Sequence, residues 1–407
     1  MGNEKKLIAL SVSLLYASYV LTAFFKISAN VVMPVFQSHF SLSSSQTGII
    51  TSFYYLSYAI IQIVTGPLCN RFGSLKIVGI GLLCSCTGSV CFAFHFSPAF
   101  IALGRFLVGV GVGTVFVGIV AFLTFHFTGR KYAIYSGLSV TCSGFGQFIA
   151  SAPLKIFIEK FGITSVFLAL AALMLLISVA MLSVSVHSEK NANAKTGILK
   201  QIKDGACYSF SHSLVFFLAL LWMMYNSFQH SYQGLWSATY CALAFPDKAQ
   251  SSGLSASLVS LGLMAGTALS EFMRFKSSSR RKSVIISEIL FGISTVCVSL
   301  SHNINFAVML ACDFLLGFSI GHICIQMTAY TRNVAGNGMN ATVIGFMNFF
   351  SCTGTILFQW LTGFSVDMMG GKSNSSFSTT FFLYSVLVVA IVCITVSLQK
   401  KNNITEL

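Results

Sequence analysis

The chain has 407 residues, a formal net charge of +14 and a mean hydropathy of +0.81. Charged residues make up 8% and the AVILMFWYC set 55%, against about 25% charged in an ordinary globular protein. That is too little charge to cover a water-facing surface. A soluble enzyme, a disordered chain and a secreted disulfide scaffold are excluded, which leaves a polytopic membrane protein. The 12 cysteines do not revive the disulfide reading. Cys84, Cys86, Cys91, Cys142, Cys297, Cys312, Cys324 and Cys393 lie inside apolar runs, where they read as small hydrophobes facing lipid or neighbouring helices. None has zinc-like partners in sequence, so no metal and no other cofactor is expected.

A spanning helix needs about 20 apolar residues. In chain order twelve are predicted, the first six near 8–35, 46–68, 76–96, 99–125, 133–157 and 164–186. The polar stretch 187–210 follows, and then six more near 212–239, 251–273, 283–301, 305–329, 340–365 and 379–398. The expected domains are a bundle at 1–186, a cytoplasmic linker at 187–210 and a bundle at 211–407. With the N-terminus inside, the inner segments hold 18 of the 24 basic residues and the outer ones four: Lys155, Lys160, Lys248 and Lys372. This asymmetry predicts both termini in the cytoplasm of a cell bounded by that inner membrane. It also explains the net charge without nucleic acid.

The two halves repeat. Arg105-Phe-Leu-Val-Gly109-Val-Gly-Val-Gly113 aligns with Asp313-Phe-Leu-Leu-Gly317-Phe-Ser-Ile-Gly321 at an offset of 208. The same offset pairs Gly146 with Gly354, Glu159 with Asp367 and Gly162 with Gly370. Two parallel six-span repeats are the footprint of transporters whose site lies between the halves at mid-membrane. The glycines Gly109, Gly111 and Gly113 sit mid-helix with no preceding strand, so they read as a helix contact and not as a dinucleotide loop. No phosphate loop is present, and no enzymatic activity is expected.

The loop after the second helix reads Gly66-Pro-Leu-Cys-Asn70-Arg71-Phe-Gly73-Ser-Leu-Lys76, and the fourth helix reads Gly104-Arg105-Phe106-Leu107-Val-Gly109-Val-Gly111. With the central linker, these resemble the major facilitator superfamily across essentially the whole chain. The resemblance implies an all-α membrane fold of twelve transmembrane helices in two pseudo-symmetric six-helix bundles. It also implies solute transport by alternating access. The loop departs from the family pattern at Asn70, where an acid is expected, and at Ser74, where an arginine is expected. A weaker second copy, Glu271-Phe-Met-Arg274, could supply the missing charge. The fifth helix lacks the Gly-Pro pair of the family's drug antiporters.

Lys26 interrupts an apolar first helix, where an uncompensated charge costs several kcal/mol. It suits the negative group of a substrate; the alternative is an internal ion pair or the outer headgroups. Asp313 and Arg105 occupy equivalent repeat positions. Asp313 is the candidate for proton coupling, with Arg105 or His230 as its companion; the alternative is a fixed counter-ion. In the seventh helix Asn226, Gln229, His230 and Gln233 fall at i, i+3, i+4 and i+7, one face that must meet protein or water. Trp236 ends that stripe as an interface or gating residue. Tyr54 and Gln62 on the second helix, Gln147 on the fifth, His322 and Gln326 on the tenth and Asn348 on the eleventh are further cavity candidates. Glu288 reads as interfacial or intrahelical.

The sequence thus predicts a secondary transporter, acting as a monomer in the lipid bilayer. Its partners are protons and a small anionic or zwitterionic organic solute, moved by symport. The alternative is proton-driven efflux of amphipathic compounds or a secreted metabolite.

Overall fold

The structure is a computed structural model that describes residues 2–184, 198–273, 280–300 and 304–401. Among the described residues every regular element is helical. In chain order they are α1 (Gly2–Ile27), α2 (Ala29–Phe40), α3 (Ser44–Phe72), α4 (Ser74–Phe94), α5 (Pro98–His126), α6 (Gly129–Ile149) and α7 (Ala152–Ser183). There follow α8 (Ile198–Ser211), α9 (Ser213–Ser231), α10 (Ser237–Ala244), α11 (Gly253–Met273), α12 (Arg280–Ser299), α13 (Phe306–Met368) and α14 (Asn374–Lys401). Arg274 lies outside the described residues, as does the first part of the polar insert; the rest, from Ile198, forms α8.

Local chemistry sets several boundaries. Ser43 accepts from the Gln46 N–H while the Gln46 side chain accepts from the Ser43 N–H, a reciprocal capping box that starts α3. Ser97 caps α5 ahead of Pro98, whose missing N–H costs nothing in a first turn. Gly162 at φ 78° breaks α7 in two, and its repeat-mate Gly370 turns the chain after α13 at φ 90°. Both are left-handed positions that favour glycine.

Helix α13 is 63 residues long, about 95 Å if straight, against a hydrocarbon core of about 30 Å. It is not straight. Thr331 Oγ1 lies 3.2 Å from Met347 Sδ, whereas sixteen residues of straight helix span about 24 Å. The element is therefore two antiparallel spans, Phe306–Met327 and Val343–Met368.

Among the described residues ten helices are long and apolar enough to cross a membrane, and Gly205–Ser211 with Val215–Ala244, bent by 90°, makes up to eleven. The twelve predicted spans are not all recovered. The fifth falls on α6, which has the length at 21 residues but carries Arg130, Lys131 and a run of Ser, Thr and Gly. It packs on α1 and α11, inside the bundle. Burial confirms the inverted logic of a membrane protein. Leu176 and Ile156 are 68% and 63% exposed, while Arg105 and Asp313 are fully buried.

Tight helix contacts run through small residues, as lipid gives little hydrophobic drive for helices to associate. A Cβ added to Gly109 would strike the Tyr54 carbonyl and Ser57 of α3, and one on Gly317 would strike the Val259 carbonyl of α11. Gly146 meets the Val20 carbonyl of α1, and its repeat-mate Gly354 meets Ser227 of α9. The 208-residue offset therefore recurs as geometry.

Candidate functional site

The first and seventh predicted spans are both interrupted where their polar residues lie. The first breaks at Ser28, between α1 and α2, two residues after Lys26. The seventh contains a π-helical turn at Tyr232–Trp236, between α9 and α10. Such a turn inserts a residue into the helical repeat and is frequent at functional sites.

Between these elements lies a cavity of about 110 Å³. Lys26, Tyr19 and Tyr58 line one side with Gln147 of α6; Asn226, Gln229 and His230 of α9 line the other. Lys26 places its ammonium 5.7 Å from the centre of the Tyr58 ring. Among the described residues no carboxylate pairs with it. His230 is buried, its ring centre 6.0 Å from that of Tyr55. Asn348 also lines the cavity and accepts from the Trp222 indole N–H at 3.2 Å.

Other predicted residues lie elsewhere. The π turn rotates Gln233 off the stripe: its Nε2 donates to the Ala256 carbonyl (3.1 Å) and Ser260 Oγ (2.9 Å) of α11, and its Oε1 accepts from Gln229. Trp236 is buried against Phe377, with 5.4 Å between ring centres, not at an interface. Gln326 donates to Ser270 Oγ and His322 bonds Ser283 Oγ, so both tie α13 to its neighbours. Gln62 is buried on α3 outside the lining. Tyr54 serves as the floor beneath Arg105.

Arg105 and Asp313 do not meet. The Arg105 guanidinium lies 4.6 Å from the Tyr54 ring centre and donates to the carbonyls of Phe25 (2.9 Å) and Thr51 (3.4 Å). Asp313 accepts from the Tyr232 hydroxyl at 2.8 Å, and its second oxygen has no partner among the described residues. At equivalent repeat positions each braces the broken helix of its own half. Glu288, predicted as interfacial, is instead buried against Tyr225 of α9.

The motif loop behaves as a turn. Gly73 adopts φ 90° and donates to the Cys69 carbonyl, while Arg71 stacks on Phe72 at 5.3 Å and Gly66 faces Val117. Asn70 is half-buried and engaged by neighbours. The Glu271 side chain lies outside the described residues, so the second-copy contact is not part of the described structure.

One end of the bundle is latched above the cavity. The Asp367 carboxylate accepts the N–H groups of Ser44 (3.0 Å) and Ser45 (2.7 Å), the first residues of α3, where the helix dipole favours an anion. Asn30 donates to Ser237 Oγ and accepts the Ala238 N–H, both at 3.0 Å. Lys155 donates to the carbonyls of Ala249 and Gln250, and the Ala152 N–H to Ser257 Oγ. An added Cβ on Gly48 would lie 2.7 Å from the Gln359 carbonyl, so α3 and α13 touch backbone to backbone there.

Several lining residues were not singled out from the sequence. Trp222 stands one turn before Asn226 on the same stripe and was legible by that spacing. Cys324, read as a packing or lipid-facing residue, lines the cavity with Cys352. No sequence pattern separates a cysteine facing a cavity from one facing lipid.

A helical membrane bundle with a polar-walled central cavity latched at one end defines a membrane transport protein. The chain matches the family model of the Major Facilitator Superfamily over residues 15–359 and belongs to that family. It is 21% identical to an uncharacterized transporter, YybO, of Bacillus subtilis (strain 168) over 92% of this chain and 91% of that one. It is 23% identical to the hexuronate transporter of the same organism over 88% of this chain and 87% of that one. A probable sulfoacetate transporter, SauU, of Cupriavidus necator is 23% identical over 37% of this chain and 35% of that one.

Proposed function

We propose that the chain is a secondary transporter for a small organic anion, which it binds through Lys26 and moves by rocking its two six-span halves. One observation carries this reading: a cavity-lining ammonium beside the break between α1 and α2, with no carboxylate partner among the described residues. A charge is tolerated inside a span only where it meets water, a ligand or polar groups of the protein, and among the described residues Lys26 has only the Tyr58 ring. A negative substrate group supplies the compensation that the protein omits. Two of the relatives are named for organic anions, hexuronate and sulfoacetate.

In this reading the latched end is outside, as the bias of basic residues supports, and this state faces the cytoplasm. Protons provide the driving force in this reading. Asp313 is the coupling carboxyl, because Tyr232, which bonds it, belongs to the π turn that directly follows the cavity-lining His230. Arg105, bonded to two carbonyls, serves as a brace. The test is counterflow of radiolabelled sulfoacetate and glucuronate in proteoliposomes. Wild type exchanges at least one anion and Lys26→Gln exchanges it about 30-fold less or worse. Full exchange by Lys26→Gln would overturn the assignment.

A further inference from the structure

Glu288 is a second buried acid of the C-terminal half, and the transport reading above does not use it. It lies within the span Lys282–Ser299 and is 1% exposed. Its carboxyl faces the hydroxyl of Tyr225 on α9, which also faces Thr395 of α14. The Tyr225 ring meets Phe291 of α12 edge-on, with 5.2 Å between ring centres. Tyr225 and Tyr232 are seven residues apart, two turns and about 10 Å along one face of the seventh span. Each sets a phenol against a buried acid: Tyr232 against Asp313, Tyr225 against Glu288. Phe228 stands between them, packed on Tyr232 and on Phe291.

Among the described residues no cation pairs with Glu288. Its helix packs on α13 and α14. From α13, His322 reaches α12 at Ser283, five residues nearer the helix start. From α14, Tyr384 turns to Thr362 and Cys393 is exposed. Lys282, on α12 itself, is exposed six residues before Glu288, off its face. An ionised carboxyl is far costlier to bury than the neutral acid, and an ionisable group inside a span marks an ion or proton path. The fold itself does not ask for this pair. At the 208-residue offset the first half has Ala17 and Ile80 where the second has Tyr225 and Glu288.

We propose that Glu288 is a second proton carrier, so that two protons accompany each anion, one on Asp313 and one on Glu288. The proposal rests on the proton-driven reading above. The π turn links Asp313 to the cavity, whereas Tyr225 and Glu288 lie two turns away on regular α-helix. The Glu288 proton therefore moves only in cycles that Asp313 permits. Its contribution is one elementary charge more per anion than Asp313 alone would give. For a monoanion the net movement is then one positive charge, which the membrane potential drives.

The experiment counts protons per anion in proteoliposomes. Proton uptake is read with a pH electrode, and anion uptake with radiolabelled glucuronate or sulfoacetate, whichever the wild type exchanges. Wild type should take up two protons per anion. Glu288→Gln, an amide in place of the neutral acid, should take up one while its counterflow persists. A ratio of one in wild type, or an unchanged ratio in Glu288→Gln, overturns this proposal while the anion reading stands. Loss of counterflow in Glu288→Gln makes Glu288 structural and overturns it as well. Anion exchange without proton movement removes coupling at Asp313 together with this proposal, and exchange of neither anion overturns the anion reading with both.

Discussion

Lys26 and Arg105 are two cations within membrane spans, and a pair of tyrosines connects them. Tyr54 and Tyr58, one turn apart on α3, stack with ring centres 5.7 Å apart. Arg105 sits at the Tyr54 ring and Lys26 near the Tyr58 ring. Arg105 has two carbonyl acceptors as well, from the backbones of α1 and α3. Lys26 has the ring and the cavity. A planar fork suits fixed carbonyls, while a compact ammonium on a flexible stem suits an exchangeable ligand. Equal charge at similar depth therefore supports two roles, and the partners decide which.

The largest effect that tests this contrast is on transport. Lys26→Gln should cut anion exchange about 30-fold or more, since losing one member of a buried charge pair costs about 2–5 kcal/mol. Its melting temperature in detergent should stay within a few degrees of wild type. A comparable drop in stability would show that Lys26 is structural and erase the contrast.

Arg105→Leu should do the reverse. It removes the guanidinium's hydrogen bonds to the Phe25 and Thr51 carbonyls, at about 1.5–3 kcal/mol for each bond made by a charged group. The expected outcome is a lowered melting temperature and poor yield of folded protein, read by thermal denaturation. Wild-type melting would show that Arg105 braces nothing.

Asp313→Asn sharpens the comparison in the second half. The amide oxygen can still accept from Tyr232, so folding should change by about 1 kcal/mol or less. Counterflow should persist while gradient-driven accumulation fails. Retained accumulation would remove Asp313 from coupling.

The smallest effects concern the latch and the ring. Asp367→Asn loses the charge at the α3 N-terminus and turns one of the two accepting oxygens into an NH2 facing a backbone N–H, a change of about 1 kcal/mol. It should raise labelling of cysteines introduced at the latched end, at unchanged substrate affinity. Tyr58→Leu should weaken anion affinity a few-fold, in line with about 0.5–1 kcal/mol for a cation–π contact. Tyr54→Leu should lower stability instead. Identical behaviour of the two would show that the rings do not distinguish the cations.

Much of the fold was legible from composition and periodicity. Most of the spans and the cavity face of the seventh helix follow from charge scarcity and from polar residues at helical spacing, while the superfamily was indicated by the motifs at Gly66–Lys76 and Gly104–Gly111. The site was legible only in part. Asn226, Gln229 and His230 were found by their stripe, but Gln233 fell out because the π turn adds a residue that a 3.6-residue count cannot foresee. Gln326 and His322 were misplaced for a different reason. A polar group in a membrane helix must turn inward, yet inward includes neighbouring helices as well as the cavity.

The sequence by itself determined that this chain enters a membrane, which of its residues avoid lipid, and which charges needed an explanation. Those are transfer free energies, and they belong to single residues and short windows. Only the tertiary structure decided which buried groups are satisfied. Asp313 meets Tyr232 across 81 positions, Arg105 meets Phe25 across 80, and Asp367 meets Ser44 across 323. Satisfaction is a relation between groups brought together by packing. That no carboxylate among the described residues pairs with Lys26 could be recognised only once packing had placed those acids.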